Sequence, residues 1–373
     1  MAVYKIFPTQ DASLYTESSS MNTGLDPILE CSTYFKSGVS YTSRYLVQFS
    51  NTEITNILNT LVSGSNFKTY LRNFKSTIYN LNTTSILYFY PASGSWSMGT
   101  GKYLDYPLTT NGVSWLWLNY SGSTLWPTSS FGAYATASFD SSNPGGGVWF
   151  TGSSLGLNVV QTQSFNYTSP LDITVDVTNT VLNWYSGSLP NNGFLVKQQS
   201  SDEFPTLESA ATTFKYYSMD TNTIYPPQLE FRWNDYTFNT GSSAQTILTT
   251  PESFISIYNN EGTYYSESIA RFRIAATPKY PARVFITSSL YNVNYYLPES
   301  RSLYAVKDST TNEFVINFDS TYTRISADGT SSYFDVYMNG LEPERYYTIL
   351  IQTVVDGVTK VFDENILFKV SQG

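Results

Sequence analysis

LDITVDVTNTVLNWYSGSLPNNGFLVKQQ, residues 171–199, predicts a strand, a short helix, a turn and a second strand in succession. Leu171–Val177 alternates apolar and polar residues, which is typical of a half-buried strand, and the alternation stops at Thr178, a favourable helix N-cap. A one-sided apolar stripe then ends at Gly187, a residue type that suits the end of a helix. Asn191–Gly193 supplies turn residues before the second strand, so the stretch places one short helix within a β-protein.

Two short helices are predicted, and both interrupt sequence that otherwise indicates strands. The helix near Thr178 contains Trp184, which we interpret as a core residue in a helix that closes the open end of a β-sandwich. The other helix follows Ser50, which has the capping-box spacing to Glu53, and its apolar residues recur at helical intervals up to Gly64. We expect the rest of the chain to be β-structure.

Composition supports an all-β chain and disfavours several functions. The 373 residues include 32 Tyr and 23 Phe but only 13% charged residues, which is the usage of strands and turns. Histidine is absent, so the commonest general base and metal ligand is missing, and the single cysteine, Cys31, excludes an internal disulfide. The net charge of −9 argues against nucleic acid or an anionic membrane as a partner.

The stretch from Pro91 to Gly152, here called the excursion, differs from the strands on either side. It is rich in Gly, Ser, Pro and Asn, and we expect it to be long, mostly irregular, and either packed on itself or functional. Its tryptophans are either local anchors or a binding face, since exposed aromatic residues also form sugar-binding platforms. If they form such a face, the candidate contact residues are Trp115, Trp117 and Trp126.

The sequence predicts two β-sandwich domains joined by a linker. Residues 1–236 form the first domain, which ends in the apolar strand QLEFRW. Residues 237–250 are poor in large aliphatic side chains and hold a run of Asn, Thr, Gly and Ser, so they are predicted to be the linker. Residues 251–373 form the second domain, in which alternating runs such as Ile269–Ala275 and Arg283–Thr287 indicate strands.

No group of residues in the sequence has the spacing of a known catalytic site. There is no Gly-x-Ser-x-Gly elbow, no phosphate-binding Gly-Lys-Ser/Thr, and no histidine to activate Cys31. A glycosidase needs only two carboxylates, so composition leaves that class open, although the acidic residues are few and spread singly. We expect no enzymatic activity and no cofactor.

Calcium binding is the metal chemistry that remains for a chain without histidine. Asp11, Asp26 and Asp140 have suitable oxygen ligands, but no acid-rich spacing of the EF-hand or repeat type occurs. The sequence therefore predicts no metal site.

The C-terminal part resembles a fibronectin type III or related immunoglobulin-like domain. Leu341, Pro343 and Tyr347 have the Leu-x-Pro-x-x-x-Tyr spacing of the corner before the F strand in those domains, and an alternating run follows. The resemblance implies an immunoglobulin-like sandwich in which Tyr347 hydrogen-bonds back across the corner.

Residues 1–233 resemble a DNRLRE-type module, a β-sandwich of some carbohydrate-binding and bacterial surface proteins. The motifs that carry the resemblance follow the family order: Asp11 with Leu14-Tyr15, Asn22-x-Gly24, Arg44–Phe49, Trp96, Asp176–Trp184, Asn192–Phe194, and Tyr217–Asp220 ahead of Pro226–Leu229. The resemblance implies a jelly-roll-like sandwich. The chain departs from the family at Met219, where a basic residue is usual, and in the length of the excursion. Both departures argue against a sugar ligand shared with the family.

The complete chain, including SSNPGGGVWF and YYSMDTNTIYPPQLEFRW, is similar to virion structural proteins of T4-like myophages of marine cyanobacteria. Its first residues lack the apolar segment of a signal peptide and no segment approaches 18 apolar residues, so we expect neither a cleaved export signal nor insertion in a membrane. A surface-type module without a signal peptide fits a phage, because lysis of the host releases its particles.

These resemblances imply a non-enzymatic structural component of a tailed-phage virion, made in the host cytoplasm and exposed on the assembled particle. We expect it to contact other virion proteins, and copies of itself in a ring, at the neck, tail, baseplate or fibre attachment. The net charge of −9 disfavours a position lined by packaged DNA. The alternative is a carbohydrate-binding adhesion module that contacts a host surface glycan, and an enzyme that cleaves a host polysaccharide is the third hypothesis.

Overall fold

The computed structural model describes residues 2–62, 66–81, 83–127, 145–151, 156–206, 211–241, 246–281 and 294–373, and the backbone of residues 137–138. The chain is all-β, as predicted. Its described helices are α1 (Asn51–Thr60) and α2 (Thr178–Tyr185), with a 3₁₀ turn at Met338–Gly340. None of the helices in these ranges combines the length and apolar character needed to cross a membrane.

The part of the chain that the structure describes contains twenty-five strands. In chain order they are Ala2–Ile6 (β1), Pro8–Tyr15 (β2), Ile28–Lys36 (β3), Val39–Phe49 (β4), Phe67–Asn73 (β5), Lys75–Tyr79 (β6), Ser85–Pro91 (β7), Trp117–Asn119 (β8), Thr124–Leu125 (β9), Ala137–Ser138 (β10), Trp149–Phe150 (β11), Gln161–Phe165 (β12), Ile173–Asp176 (β13), Phe194–Gln198 (β14), Thr213–Tyr217 (β15), Gln228–Trp233 (β16), Ser253–Ile257 (β17), Thr263–Tyr265 (β18), Ile269–Pro278 (β19), Ser302–Asp308 (β20), Phe314–Ile316 (β21), Ser326–Ala327 (β22), Ser332–Tyr337 (β23), Arg345–Val355 (β24) and Val358–Ser371 (β25).

The chain divides into two compact units, named here by the part of the chain that supplies most of each. The N-terminal unit comprises Ile6–Leu61 and Lys68–Glu230. The C-terminal unit comprises Met1–Lys5, Val62–Phe67 and Phe231–Gly373. The finer limits, residues 1–236 and 251–373 with a linker at 237–250, stay a prediction.

The segment predicted as a linker contributes described residues to the C-terminal unit. The amide of Asn239 donates to the carbonyl of Ala327 at 3.0 Å. Leu248 is 1% exposed and belongs to the hydrophobic core of this unit, whereas its neighbour Ile247 is 43% exposed. Part of the predicted linker is therefore packed structure, although its composition is that of a loop.

Two sheets organise the N-terminal part of the chain. The larger has eight strands in the order β12-β7-β14-β4-β3-β15-β6, with β2 paired to β4, and the smaller has the order β1-β16-β5-β13. Val196 of β14 lies opposite Phe89 of β7, and both side chains are fully buried. Asn73 of β5 donates to the hydroxyl of Tyr45 in β4 at 3.1 Å, so a polar contact joins the two sheets across the core.

The helix predicted near Thr178 is present, but its N-cap is Val177 and not Thr178. The prediction of the cap was wrong because Thr178 is the first helical residue, and both its hydroxyl and its amide donate to the carboxylate of Asp176, at 2.5 and 3.0 Å. Trp184 is 3% exposed and its ring centroid lies 4.7 Å from that of Phe194. The prediction that Trp184 is a core residue is confirmed.

The C-terminal unit contains a second pair of sheets, β17-β19-β23-β22 and β18-β25-β24-β20-β21. Aromatic rings fill the core: the centroid of Phe334 lies 4.4 Å from that of Tyr304 and 5.5 Å from that of Phe272. The predicted strand at Ile269–Ala275 forms part of β19, and the one predicted at Arg283–Thr287 lies outside the described residues.

The corner predicted at Leu341–Tyr347 is present where the chain enters β24. The Tyr347 hydroxyl donates to the carbonyl of Glu342 at 2.9 Å, which is the hydrogen bond that the sequence pattern predicts. The ring of Tyr347 is 1% exposed and stacks on Phe368 with a centroid separation of 5.6 Å. One residue therefore both fills the core and fixes the turn that leads into β24.

Candidate functional site

The three tryptophans considered for a contact surface lie in different environments. Trp115 and Trp126 are 3% and 4% exposed, and Trp117 is half-buried. The indole nitrogen of Trp126 donates to the carbonyl of Ser114 at 2.9 Å, so its polar edge is satisfied inside the unit. Trp117 packs edge-on against Tyr120 at 5.0 Å between ring centroids. Of the three, only Trp117 offers ring surface to a partner, and the other two anchor the excursion.

Trp115 packs on the guanidinium group of Arg44, a fully buried side chain. The central carbon of that group lies 4.9 Å from the Trp115 ring centroid and 5.4 Å from the Trp149 ring centroid. Arg44 also donates to both carboxylate oxygens of Glu203, at 2.8 and 2.9 Å, and to the carbonyl of Gly146 at 3.0 Å. One side chain from β4 thereby holds two parts of the excursion in place.

Lys197 of β14 completes a buried group of three charges. Its ammonium nitrogen lies 2.6 Å from the second carboxylate oxygen of Glu203, and the side chains of Arg44, Lys197 and Glu203 are between 0% and 3% exposed. Burial lowers the pKa of Lys197, and the Glu203 carboxylate opposes that shift. Two cations share one carboxylate, and the carbonyl of Gly146, the hydroxyl of Ser200 and the aromatic faces of Trp115 and Trp149 also stabilise the positive charge.

Asn22 fixes the base of the excursion to the turn after β2. Its amide nitrogen donates to the carbonyls of Met98 and Val113, at 2.6 and 2.9 Å. Its amide oxygen accepts hydrogen bonds from the backbone amides of Gly24 and Gly101, at 3.2 and 2.8 Å. All hydrogen-bonding positions of this fully buried side chain are used, so a single residue ties three segments together.

The anchored excursion carries exposed apolar side chains, called here the exposed loop residues. They are Tyr103 (37%), Leu104 (66%), Tyr106 (101%), Leu108 (43%), Leu116 (37%), Tyr120 (38%) and Leu125 (55%). Single exposed apolar residues are ordinary, but seven within one connection on a rigid support are characteristic of a contact region. The candidate functional site is this set together with the half-buried Trp117.

Cys31 and the acidic residues considered as metal ligands lie in environments that do not favour nucleophilic catalysis or metal binding. Cys31 is fully buried, and burial raises the pKa of its thiol, so the thiolate needed for nucleophilic attack is not formed near neutral pH. Within the described ranges, no three acidic or cysteine side chains form a cluster that could hold a metal ion. Asp11 is fully buried and Asp26 half-buried, and Asp140 lies outside the described residues.

Sequence reasoning identified Arg44 and Asn22 as parts of motifs, but it did not identify Glu203 and Lys197, which form the buried charge group with Arg44. A signal for Lys197 does exist, since FLVKQ places a lysine in an otherwise apolar strand where a buried charge needs a counter-ion. Nothing local marks Glu203, which lies between Asp202 and Phe204 in a turn-rich segment. The pairing with Arg44 across 159 positions follows from the topology alone.

A scan against protein-family models, a search of curated proteins and a search of solved structures each return no match for this chain.

Proposed function

We propose that this protein is a non-enzymatic structural component of a tailed bacteriophage virion, placed at the neck, tail, baseplate or fibre attachment. It acts through contacts with other virion proteins and with copies of itself in a ring. The observation that carries the proposal is the combination of a rigidly anchored excursion with exposed apolar residues, of which Tyr106 is 101% and Leu104 is 66% exposed. Tyrosine and tryptophan side chains are typical hot-spot residues of protein interfaces, and the exposed leucines beside them add apolar contact area.

The charge balance and the sequence resemblance support this placement. A net charge of −9 makes contact with packaged DNA unfavourable, because like charges repel at the surface of the duplex. Two compact units also suit a part that makes one contact within the particle and presents another surface outward. The resemblance to virion structural proteins of cyanobacterial myophages supplies the class of particle.

The proposal is tested first by locating the chain in purified particles. Mass spectrometry of density-purified virions should detect the protein, and a cryo-EM map of the whole particle should place it in a ring outside the capsid. Density inside the capsid, or absence from purified virions, would contradict the proposal.

A paired substitution tests whether the exposed loop residues make the assembly contact. Tyr106→Ser with Leu104→Ser should reduce incorporation of the protein into virions by tenfold or more, since each removes an exposed apolar side chain without entering the core. Tyr280→Ser is the matched control, because Tyr280 is 73% exposed and lies in the C-terminal unit. Equal incorporation of both variants would show that the contact lies elsewhere.

A carbohydrate-binding adhesion module is the second candidate, and the half-buried Trp117 favours it. An indole held edge-on by Tyr120 has the fixed orientation that stacking on a sugar ring requires. Binding to host-envelope glycans on an array, lost in Trp117→Ala and kept in Tyr280→Ala, is the expected result for this candidate. Turnover of any such polysaccharide would instead support an enzyme.

A further inference from the structure

A small polar cavity lies on the sheet β17-β19-β23-β22 of the C-terminal unit, on the face away from the core. Its volume is about 230 Å³. Six of its seven lining residues are polar: Asp235, Thr237, Arg271, Ser326, Tyr333 and Asp335. Pockets for lipids and most other organic ligands are lined mainly by apolar side chains, whereas Phe334 is the one apolar residue of this lining. The cavity therefore suits a polar ligand.

One wall of the cavity comes from the segment around Thr237, and hydrogen bonds to β22 hold it in place. The amide of Thr237 donates to the hydroxyl of Ser326 at 3.2 Å, and its carbonyl accepts the amide of Ala327 at 2.9 Å. The amide of Asn239 donates to the carbonyl of Ala327 at 3.0 Å. A preformed wall spares a ligand the cost of ordering the segment on binding.

The opposite wall carries a charged pair that retains hydrogen-bonding capacity. Two nitrogens of Arg271, Nε and Nη2, donate to the two carboxylate oxygens of Asp335, at 2.8 and 2.9 Å. A guanidinium has five N–H groups and each carboxylate oxygen accepts more than one hydrogen bond, so the pair presents donors and acceptors side by side. The side chains of Arg271 and Asp335 are 47% and 19% exposed, so a ligand can reach them.

Two hydroxyls complete the polar lining. Thr237 Oγ1 and Tyr333 Oη lie 3.2 Å apart, and either can be the donor, so one O–H of the pair remains for a ligand. The central guanidinium carbon of Arg271 lies 4.2 Å from the centroid of the Tyr333 ring and covers one face of that ring. A ligand in this cavity is therefore recognised by hydrogen bonds and not by stacking on that face.

We propose that this cavity binds one neutral hexopyranose ring, such as the terminal sugar of a glycan. Adjacent sugar hydroxyls both donate and accept, as do the lining pairs. Two carboxylates in the lining disfavour an anion, and the Arg271 guanidinium disfavours a cation. The volume of about 230 Å³ is below the roughly 300–1,000 Å³ of drug-sized pockets, so the cavity holds one ring and not an oligosaccharide.

This inference is independent of the proposed virion role, because it is decided by sugar binding alone. It also concerns a different part of the chain from Trp117, since Trp117 belongs to the N-terminal unit and the cavity to the C-terminal unit.

The first test uses the full chain and saturation-transfer difference NMR with the methyl α-glycosides of glucose, mannose and galactose. At least one should bind with a Kd on the order of 1 mM, as expected for a ligand of about a dozen non-hydrogen atoms. Cyclohexanol, a ring with one hydroxyl, should not bind. Absence of binding by all three glycosides, or displacement of the bound sugar by equal concentrations of sodium sulfate or methylammonium chloride, would overturn the proposal.

Substitutions that delete one hydroxyl each locate the bound sugar. Tyr333→Phe and Thr237→Val should each weaken the glycoside about fivefold, because each removes a hydrogen-bonding group without changing charge. The matched controls are Tyr346→Phe and Thr359→Val, exposed positions of the same unit outside the cavity, and both should bind as the unaltered chain does. If Thr237→Val lowers the Tm, Tyr333→Phe alone decides the result.

Trp117→Ala separates this site from the N-terminal candidate and should bind the glycosides with unchanged affinity. Equal affinity of Tyr333→Phe and the unaltered chain, or loss of binding in Trp117→Ala, would overturn the assignment to the cavity.

Discussion

Arg44 shows how one buried residue fixes the position of a loop. Its guanidinium group is fully buried between two indole rings and uses its donors on Glu203 and Gly146. A buried ion group adds little net stability compared with apolar packing, but loss of one member leaves an uncompensated charge. The group therefore specifies where the excursion lies more than it stabilises the unit.

Glu203→Gln should destabilise the N-terminal unit by about 3–5 kcal/mol, because two buried cations lose their only shared carboxylate. Urea unfolding followed by tryptophan fluorescence measures the change, since Trp115 and Trp149 lie on Arg44. The matched control is Lys68→Met, which breaks the exposed pair with Asp176 and should cost less than about 1 kcal/mol. Equal losses in both variants would contradict this account.

The carboxylate of Asp308 should make the C-terminal unit sensitive to acid. Burial raises its pKa, but hydrogen bonds from Arg345 and from the amides of Thr310 and Thr311 outweigh this, so its pKa is lowered overall. A lowered folded-state pKa gives stability that is present above the unfolded value, about 3.9, and is lost as pH falls through the folded value.

Chemical denaturation between about pH 6 and pH 2 should show this loss, and Asp308→Asn should flatten the dependence of unfolding free energy on pH. Asp363→Asn is the control, because Asp363 is exposed. If Asp308→Asn leaves the slope unchanged, Asp308 is not the group responsible.

At the scale of elements, alternation and helical spacing in the sequence were sufficient to predict the structure where the contacts are local. The helix after Ser50 and the corner at Tyr347 depend on residues within a few positions of each other, and both are present. The buried partners of Arg44 and of Asp11 could not be predicted, because they lie 159 and 208 positions away. The N-cap of α2 was misplaced because the local side-chain bond from Thr178 to Asp176 competes with capping.

Helix α1 offers a direct test of a local signal. The hydroxyl of Ser50 accepts the backbone amide of Glu53 at 3.3 Å, so Ser50→Ala should cost about 1 kcal/mol of unfolding free energy. Ser50→Asp keeps an acceptor at the cap and should be close to neutral. Urea denaturation provides both values, and equal destabilisation by Ala and Asp would indicate that the cap contributes nothing.

At the scale of the whole molecule, the segment between the two predicted sandwiches is the informative part. Its composition suggests a linker, yet Leu248 enters the core of the C-terminal unit. A sequence window cannot show this, since one buried leucine among polar residues carries no periodicity. Substitutions in residues 237–250 therefore test whether this segment is only a linker.

Leu248→Ala in the full chain should destabilise the C-terminal unit by about 2–5 kcal/mol through a cavity in its core. Ile247→Ala, at the neighbouring position that is 43% exposed, should change the free energy of unfolding by less than about 0.5 kcal/mol. Urea denaturation measures the change in unfolding free energy for both variants. Identical values for the two variants would mean that this segment is a passive connection.

The pairing of β3 with β15 has a consequence for the synthesis of this protein. Cys31 of β3 lies opposite Phe214 of β15, which is encoded far downstream. The place beside β3 in the larger sheet therefore stays empty until the ribosome has released β15. During that interval the nascent chain exposes the unpaired edge of β3, and such edges recruit other strands. Non-local pairing of this kind also slows folding. High expression should therefore give insoluble chains at elevated temperature, and slower translation or a chaperone that shields strand edges should raise the soluble yield.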